Sequence, residues 1–522
     1  MQHSFSSPGV HLIPFENALS PLLPVVLGNA TYLERAETLA RTDEILRSSG
    51  VENEFVAQCL RRFHAATKRG KEPTLRQVER RQIQSRQALR TMVLKSLLQE
   101  TYEGLALQLA QAPLLRKFCL CDNGFADPVR VPSKSALQRY AQWAPHEEIR
   151  AMIDDLTRAA TSPEPSASAA VGLETPLELG VVFIDSTCLP ANIHFPVDWV
   201  LFRDATRSLM ARIHWIREQG LKNRMEEPES FVSRINSLCM EMTQVSKSFV
   251  ADSKNKRKAV LRKMKKVLNT VERHARSYRD LLADNWQEAG ISSGNAHVVL
   301  QDMDNILSQL PAAKKQAHDR IIGERQVPNE DKILSFYEPD IHVIVRGKAS
   351  GEVEFGNGLI IAEQVDGLIV DYKLMRETPP ADSVALKDCV ARIADLGCGE
   401  IFGVVTDRGF ASQANSQFLK ERGIFDGTCP RNPRELKRRR AQDELFVAYQ
   451  KRRAQTEARI GILKNVYIGE RCRAKGFESR EAQVDWAVLA HNLRLIARLS
   501  LSQEKARAKE EAAAKAALAQ AA

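Results

Sequence analysis

Two short apolar runs, GVVFID at residues 180–185 and GVVTD at residues 403–407, indicate the fold class of this chain. Each run is apolar or β-branched up to its last residue, which is typical of a strand covered on both faces. The first run ends in Asp185 and the second in Asp407. Because active sites in α/β sheets lie beyond the carboxyl ends of the strands, the two aspartates predict one shared site.

A third candidate carboxylate lies in a helical segment, YQKRRAQTEARIGILK at residues 449–464. Glu457 and Lys464 are seven residues apart and share one helix face, and Arg453 lies one turn before Glu457 on the same side. On their own, these three residues are also explained as a ladder of surface ion pairs. The presence of two aspartates at strand ends favours a role for Glu457 as a third acid of the same site.

Three carboxylates from two strand ends and a helix form an all-oxygen ligand set, which suits Mg²⁺. We expect Asp185, Asp407 and Glu457 to hold two Mg²⁺ ions, for which Mn²⁺ can substitute. Such a pair of ions supports in-line phosphoryl transfer. Between Arg431 and Arg459 the sequence carries ten Lys/Arg against four Asp/Glu, and this positive charge can hold phosphate oxygens beside the acids.

Further strand and helix signals follow the first aspartate at a distance. Three runs separated by glycine-containing turns predict a hairpin or meander, and they lie at residues 342–347, 352–364 and 367–375. Helices are expected at residues 383–396, 412–422 and 444–499, with a short strand at residues 426–429. The sequence therefore predicts an α/β unit.

Length and composition exclude several classes of protein. The 522 residues suggest two to four domains, and 75 Lys+Arg against 65 Asp+Glu give a net charge of +10, a moderate excess that is compatible with a polyanionic partner. Nine cysteines without paired-motif spacing make a disulfide framework improbable, and Cys119 and Cys121 are expected to be core thiols. The start of the chain lacks the pattern of a secretory signal, and the uncharged stretch at residues 17–33 contains prolines, so we expect no membrane span and a cytoplasmic, nucleoid-associated protein.

Composition shifts divide the chain into five parts. Residues 161–178 are rich in Ser, Ala and Pro and are expected to form a linker. The last residues form an Ala/Lys/Glu tract, which favours a solvated helix or a frayed tail. The predicted parts are a helical N-terminal DNA-binding region at residues 1–160, the linker at 161–178, a catalytic domain at 179–198 and 331–500, a helical insertion at 199–330 and the tail at 501–522.

The N-terminal region contains a basic stretch, Arg61 to Arg90, with ten Lys/Arg and two Glu. Ser135 and Gln138 have the spacing of a capping box, which predicts a helix that begins near Ala136. A basic helix, a break and a short capped helix suit a helix-turn-helix-like DNA module. A plain helical bundle with a solvated charged face fits the same pattern equally well.

The predicted insertion shows a heptad pattern followed by a very basic segment. The apolar residues of the heptad seam are Phe231, Ile235, Leu238, Met242, Val245 and Phe249. The segment KNKRKAVLRKMKKVL at residues 254–268 continues with a second amphipathic helix, and the two could pack as an antiparallel hairpin joined near residues 252–254. The basic helix either grips DNA or a partner subunit, or is a solvated face.

Several segments, in this order, resemble bacterial insertion-sequence transposases of the DDE class, of the ISNCY-type or a related group. The similarity covers roughly residues 85–500. The segments that carry it are YEGLALQLAQAPLLRKFC at 102–119, VPSKSALQRY at 131–140, FIDSTCLPANIHFPVDWVL at 183–201, VEFGNGLIIAE at 353–363, VVTDRGF at 404–410, and Tyr449 with Arg453, Glu457 and Lys464.

This resemblance implies an RNase H-like catalytic core, a mixed five-stranded sheet flanked by helices. It implies that Asp185 comes from the first strand, Asp407 from the fourth strand and Glu457 from the helix after the fifth strand. These three residues would be the catalytic and metal-binding acids. The long helical stretch at residues 199–330 would then be an insertion after the first strand.

The resemblance also implies DNA contacts. The family's last-helix signature has Tyr, Arg, Glu and Lys at fixed spacing, but here Arg452 fits the spacing to Tyr449 and only Arg453 fits the spacing to Glu457. Both arginines therefore stay candidates. The predicted DNA-contacting residues are Lys464, Arg453, Arg452, Tyr449, Arg408, Arg139 and Lys134.

The function implied is that of a DNA transposase. It would bind the terminal inverted repeats of its own element, cleave DNA at the element ends and join the freed 3′-hydroxyl to target DNA, as a homodimer or larger assembly. Two alternatives remain open from the sequence. One is a metal-dependent nuclease without strand transfer, and the other is a non-catalytic basic helical DNA-binding protein in which the acids are structural.

Overall fold

The computed structural model describes residues 26–67, 72–121, 129–248, 252–348, 351–469 and 472–521. A mixed sheet lies at the centre of the catalytic part, and helices flank it. The strands are β1 (Val181–Pro190), β2 (His342–Lys348), β3 (Gly351–Gln364), β4 (Ile369–Leu374), β5 (Gly403–Thr406) and β6 (Phe425–Asp426).

The two apolar runs form neighbouring parallel strands. β1 pairs with β5 in parallel, with Val182 opposite Val404, and on its other edge β1 pairs with β3 in antiparallel register, with Asp185 opposite Ile361. Both apolar runs are buried. This pairing places Asp185 beside the carboxyl end of β5, because Ile184 lies opposite Thr406, the last residue of β5. The expectation that the first strand ends at Asp185 was wrong, since β1 continues to Pro190.

The sheet has six strands, so the expectation of five was wrong. Its order is β2-β3-β1-β5-β6, and β4 also pairs with β3. β2 pairs with the first part of β3 and β4 with the second part, because β3 is long enough to hold both strands end to end on one edge. The predicted hairpin pairing is confirmed, but the three strands form no meander, because β2 and β4 lie on the same edge of β3. The last strand is shorter than expected and spans only Phe425–Asp426.

A glycine in the β3–β4 turn shows why this connection is tight. Gly367 has φ +98°, a conformation that favours glycine. A Cβ atom at this position would lie 2.0 Å from the guanidinium carbon of Arg459. The absence of a side chain therefore lets Arg459 reach Glu363 at the end of β3, where its Nε lies 2.6 Å from the Oε2 atom of Glu363.

The helices that follow the meander cover the sheet. The expected helices at residues 383–396 and 412–422 are present as α13 and α14, and the expected long final helix is interrupted by a π-helical segment at Leu463–Ile468. Within the described residues, the helices after β4 are α13 (Asp382–Asp395), α14 (Gln413–Glu421), α15 (Pro433–Gln442), α16 (Glu444–Ile462) and α17 (Phe477–Ala521).

Among the described residues, eight helices precede the sheet. They are α1 (Ala30–Ser48), α2 (Val51–Ala66), α3 (Leu75–Leu98), α4 (Tyr102–Gln111), α5 (Pro113–Phe118), α6 (Lys134–Ala141), α7 (His146–Thr161) and α8 (Pro165–Ala170). The core thiols Cys119 and Cys121 are buried, as predicted. The predicted capping box is wrong: α6 begins at Lys134, and the Ser133 hydroxyl caps it by accepting a hydrogen bond from the Ala136 backbone N–H.

Part of the basic stretch Arg61–Arg90 is internal rather than solvated. Arg86 and Arg90 are buried and both contact the carboxylate of Glu52, which is itself buried on α2. These ion pairs fix α2 against α3, so they add structure and not surface charge. The bases at residues 68, 69 and 71 lie outside the described residues.

The segment at residues 161–178 is packed, and its interpretation as an uncovered linker was wrong. It contains α8, and Val171, Leu173 and Leu177 are buried in the core. The Ser/Ala/Pro-rich composition predicted a linker, but three well-spaced apolar side chains are enough to anchor such a segment in the core. The C-terminal helix α17 contacts the same segment, since the Ser500 hydroxyl bonds to the Gly172 carbonyl.

Four long helices lie between β1 and β2 and share a hydrophobic cluster of their own. The heptad residues from Phe231 to Val245 lie on one of them, and Phe249 lies outside the described residues. Asp198 is the first residue of its helix, and its carboxylate pairs with Arg320 at 2.9 Å. The four helices are α9 (Asp198–Glu218), α10 (Pro228–Lys247), α11 (Ser253–Asn285) and α12 (Ser293–Ala317).

The helices show no membrane-crossing character. Within the described residues, none is both long enough and apolar enough to cross a membrane.

Candidate active site

Asp185 is largely enclosed, in contrast to Glu457. It lies within β1, and its side chain is 14% exposed. The backbone N–H of Ser186 donates a hydrogen bond of 2.7 Å to its Oδ1 atom. Burial, reinforced by the negative charges of Asp407 and Glu457, raises the pKa of Asp185 to about 6, against the opposing effects of the Ser186 N–H and Arg453. Three carboxylates thus act on one another electrostatically.

Asp407 directly follows β5 and is held by its own turn. It caps the short 3-10 turn Arg408–Phe410, because its Oδ1 atom accepts a hydrogen bond of 2.7 Å from the backbone N–H of Gly409. The turn fixes one carboxylate oxygen and leaves the other available. A buried strand followed at once by a capped turn therefore places a rigid acid at the sheet edge.

Glu457 reaches the site from α16 through an arginine. The Nη1 atom of Arg453 lies 2.9 Å from the Oε1 atom of Glu457 and 3.7 Å from the Oδ2 atom of Asp185. Glu457 is 60% exposed, whereas Arg453 is 18% exposed. The predicted ion pair on one helix face is present, and in addition Arg453 links the helix to the first strand.

A cleft of about 650 Å³ opens in front of these residues. The cleft is lined by Asp407, Arg453 and Glu457. Three further basic residues also line it. The cleft bases are Arg408, Arg440 and Lys451. Acidic and basic side chains thus line the same cleft. This combination suits a phosphodiester, because its negative charge needs cations around it.

Gln450 is a residue of this site that sequence reasoning missed. Its side-chain amide donates hydrogen bonds to the Thr406 carbonyl at 3.1 Å and to the Gly427 carbonyl at 2.6 Å. It therefore fastens α16 to the ends of β5 and β6. The available signal was its position three residues before Arg453 and seven before Glu457, which places it on their face of the helix.

Arg452 points to a different place from Arg453. Its guanidinium lies 3.1 Å from the Oε1 atom of buried Glu363, donates to the Val365 carbonyl and stacks over the ring of Phe183 at 4.6 Å. These contacts occupy the side chain within the fold. The structure thus separates the two candidates: Arg453 lines the cleft, and the predicted DNA contact of Arg452 conflicts with its internal position.

Tyr449 and Lys464 lie along the same helical layer. The ring of Tyr449 packs edge-on against Phe183 at 6.3 Å and Phe425 at 5.9 Å, which is a packing role beneath the cleft. The Nζ atom of Lys464 lies 3.4 Å from the Thr187 hydroxyl on β1, two residues after Asp185. Lys464 is therefore near the first strand, as expected for a residue of this site.

The two predicted contacts of the N-terminal region lie on α6 and are not brought into the cleft. Lys134 is exposed, and its Nζ atom pairs with the carboxylate of Glu103 at 2.9 Å. Arg139 is also exposed and lines a separate groove together with Arg473 and Lys475. A DNA contact by α6 would be a second, distinct part of an interface.

The donor chemistry of the cleft fits divalent cations. Asp185, Asp407 and Glu457 supply only carboxylate oxygens, and their like charges raise the pKa of Asp185, so a bound cation would relieve a repulsion already present. Within the part of the chain that the structure describes, no group of three or more His, Cys, Asp or Glu side chains is arranged as a metal site. The guanidinium of Arg453 instead neutralises two of these acids.

Comparison with known proteins adds an independent finding. No curated protein and no solved structure matches the chain. Residues 357–493 match the family model described as "Transposase DDE domain", a range that holds Asp407 and Glu457 but begins after Asp185. The ISNCY-type group within this class stays a prediction. The family match, together with the mixed sheet and its flanking helices, which are compatible with an RNase H-like core, supports a DDE transposase domain of the insertion-sequence type at residues 357–493.

Proposed function

We propose that this protein cuts DNA at the ends of an insertion sequence in a metal-dependent reaction and then joins those ends to target DNA. The observation that carries the proposal is the electrostatic coupling of Asp185 to Asp407 and Glu457 at one sheet edge, where burial and like charge raise the pKa of Asp185 to about 6. Transposases of the DDE family generally use divalent metal ions. We take Mg²⁺ as the natural ion and Mn²⁺ as its substitute.

The three acids would hold the divalent cations. When bound, these ions supply charge neutralisation at the phosphate and polarisation of the attacking water. In the first step water attacks the phosphorus atom and the 3′-oxygen leaves with a proton. In the second step that 3′-hydroxyl attacks a target phosphodiester, so one bond forms as one breaks and no covalent link to the protein arises.

The residues around the acids position the DNA strand. Arg408, Arg440 and Lys451 line the cleft and would hold phosphate oxygens. Arg453 balances the charges of Asp185 and Glu457 and so links α16 to β1. Gln450 fixes the helix that carries Arg453 and Glu457 against the strand that delivers Asp407.

Other parts of the chain complete the proposal. The N-terminal helices, with Lys134 and Arg139 exposed on α6, would bind the terminal inverted repeats. Joining two element ends in one event requires two active sites, so we expect a homodimer or larger assembly on DNA. Its DNA substrate would place the protein at the nucleoid.

The products of the reaction test this proposal. The purified protein is incubated with DNA that contains the flanks of its own gene and a circular target, with Mg²⁺, Mn²⁺ or EDTA. Metal-dependent cuts at one boundary together with joined molecules are expected. Cut ends without joined molecules would favour a nuclease, and binding that is indifferent to metal, without any cut, would favour a non-catalytic DNA-binding protein.

A further inference from the structure

The first half of α11 carries positive charge that is separated from negative charge. Residues 253–268 hold eight Lys/Arg and no Asp/Glu, whereas residues 269–285 of the same helix hold three arginines and three acids. The excess is therefore a local property of the first half and not of the helix as a whole.

The basic side chains point away from the bundle. Val260, Leu261, Met264 and Leu268 are buried in the cluster that the four helices share, so the opposite face of α11 is turned to solvent. The side chains of Lys254 and Lys263 are 64% and 61% exposed. Within the described residues, the exposed bases Lys256, Arg262 and Lys266 form no ion pair. We call this outward face of residues 253–268 the α11 strip.

Folding alone does not account for the strip. Lys254, Lys258, Arg262 and Lys266 follow one another at four-residue spacing, and like charges at this spacing destabilise a helix. A helix face that serves only solubility alternates its charges. Glu324 compensates Lys254 and Lys258, and Glu241 lies 3.7 Å from Lys263, which leaves most of the excess uncompensated.

A basic pocket extends one end of the strip. It has a volume of about 740 Å³, and segment 320–332, which follows α12, forms its far wall. Glu324 is its acidic lining residue. The bases that line it are Lys254, Arg257, Arg320, Arg325 and Lys332.

We infer that the α11 strip binds the sugar-phosphate backbone of duplex DNA without reading its sequence. From Lys254 to Lys266 the helix rises about 18 Å, and duplex DNA carries one charge per about 1.7 Å of axis, so about ten phosphate charges lie within this reach. The inference rests on the proposed function and adds a second DNA surface to it, apart from the catalytic cleft and from α6.

The composition of the strip favours DNA over an acidic protein partner. Specific protein interfaces are centred on aromatic or other large apolar anchors. Within residues 253–268 no large hydrophobic side chain is exposed. Long, flexible bases without an apolar centre are the pattern of contact with a phosphate backbone.

Salt dependence of binding is the test. Binding of the full chain to a labelled duplex is measured by fluorescence anisotropy over a range of KCl concentrations, with EDTA to prevent cleavage. The variant Lys256→Ala, Arg262→Ala, Lys263→Ala, Lys266→Ala is expected to bind at least tenfold more weakly at low salt. Its slope of log Kd against log salt should be about 3–4 units shallower, since each phosphate contact contributes about 0.9.

A matched variant controls for charge removal. Lys505→Ala, Arg507→Ala, Lys509→Ala, Lys515→Ala removes the same charge from exposed positions of the C-terminal helix, and its slope should stay at the wild-type value. A second strip variant with glutamine at the same four positions should repeat the loss. Two duplexes of unrelated sequence should lose affinity equally.

Three outcomes would overturn the inference. The first is a wild-type salt slope in both strip variants with their circular dichroism unchanged. The second is a loss confined to one duplex sequence, which would mean base recognition. The third is an altered molar mass by light scattering with an unaltered slope, which would assign the strip to contact between copies of the chain. A shallower slope in a protein that never cuts its flanks would keep the strip and reject the proposed reaction.

Discussion

The side-chain amide of Gln450 donates a hydrogen bond of 3.1 Å to the main-chain carbonyl of Thr406. Thr406 is the last residue of β5, and the next residue is Asp407. Gln450 lies seven residues before Glu457 on α16. One hydrogen bond therefore joins the strand that delivers one acid to the helix that delivers another, and it sets the distance between them.

Replacing Gln450 should therefore impair the reaction more than folding. Gln450→Leu leaves two carbonyls without this donor, which should cost about 1–2 kcal/mol of unfolding free energy. DNA cleavage should fall at least tenfold. Urea unfolding and a cleavage time course measure the two effects.

A charged replacement distinguishes positioning from stability. Gln450→Glu places an additional negative charge on the helix face of Glu457, which should raise the pKa of Asp185 further. The acidic limb of its pH–cleavage profile should therefore move to higher pH, while that of Gln450→Leu stays in place. Identical profiles for both variants would argue against electrostatic proximity of residue 450 to the acids.

The pH dependence of cleavage should report on Arg453. Asp185, with its pKa raised to about 6, is protonated below that pH, so cation binding and cleavage should rise as pH increases through about 6. Arg453 lowers the pKa of Asp185, and Arg453→Met should therefore shift the rise to higher pH and reduce the maximal rate. Arg453→Lys, which keeps the positive charge, should show a smaller shift than Arg453→Met. A rise at unchanged pH in Arg453→Met would contradict the role assigned to this pair.

The neighbouring arginines 452 and 453 should differ in what they support. Arg452→Met removes one of the two arginine partners of Glu363, which is 1% exposed, and leaves Arg459 as the other. The unfolding free energy should therefore fall by about 2–3 kcal/mol, which is less than a buried carboxylate loses when its single partner is removed. Arg453→Met removes the ion pair with exposed Glu457 and should change the unfolding free energy by less than about 1 kcal/mol. Urea unfolding of both variants tests the contrast. Equal destabilisation would mean that both arginines are structural.

Acid should destabilise the fold in part through His491. Burial lowers the pKa of His491 to about 4, and its Nε2 atom lies 3.0 Å from the Gly367 carbonyl. The unfolded chain, with a histidine pKa near 6.5, binds this proton more readily, so unfolding free energy should fall by about 3 kcal/mol as pH drops from 6.5 to 4. The loss is absent above pH 6.5.

The variant His491→Gln isolates this effect because glutamine does not titrate. Between pH 6.5 and pH 4 the unfolding free energy of this variant should fall by about 3 kcal/mol less than that of the wild type. Parallel curves for the two proteins would show that His491 does not contribute to acid sensitivity.

The two apolar runs ending in aspartate were enough to predict two buried strands and a shared site. Their burial pattern is a local property, whereas their parallel pairing is seen only in the structure. The sequence predicted β2 as a strand. Its end-to-end arrangement with β4 was not predictable, because it depends on the length of β3 and on the pairing of distant segments. Similarly, the packed state of residues 161–178 depends on Leu177 and its neighbours finding a core formed by other parts of the chain.

At the site, sequence spacing predicted three acids, and it predicted the pair of Arg453 with Glu457 that the structure contains. It left Arg452 and Arg453 unresolved, because adjacent residues on a helix differ in direction by about 100° and only the surrounding sheet shows which one meets Glu363. Gln450 was missed because its position on the helix face of Arg453 and Glu457 does not show what a neutral amide binds. Its role comes from two carbonyls that belong to strands far away in the sequence.

Replacing each acid by its amide in a cleavage assay on DNA with the gene's own flanks is the most direct test. Asp185→Asn, Asp407→Asn and Glu457→Gln should each abolish metal-dependent cleavage and keep DNA affinity within about threefold of the wild type. Asp426→Asn, at the end of the adjacent strand β6 and outside the cleft, is the matched control and should cleave normally. Cleavage that survives in any one of the three amide variants would contradict a shared site formed by these acids.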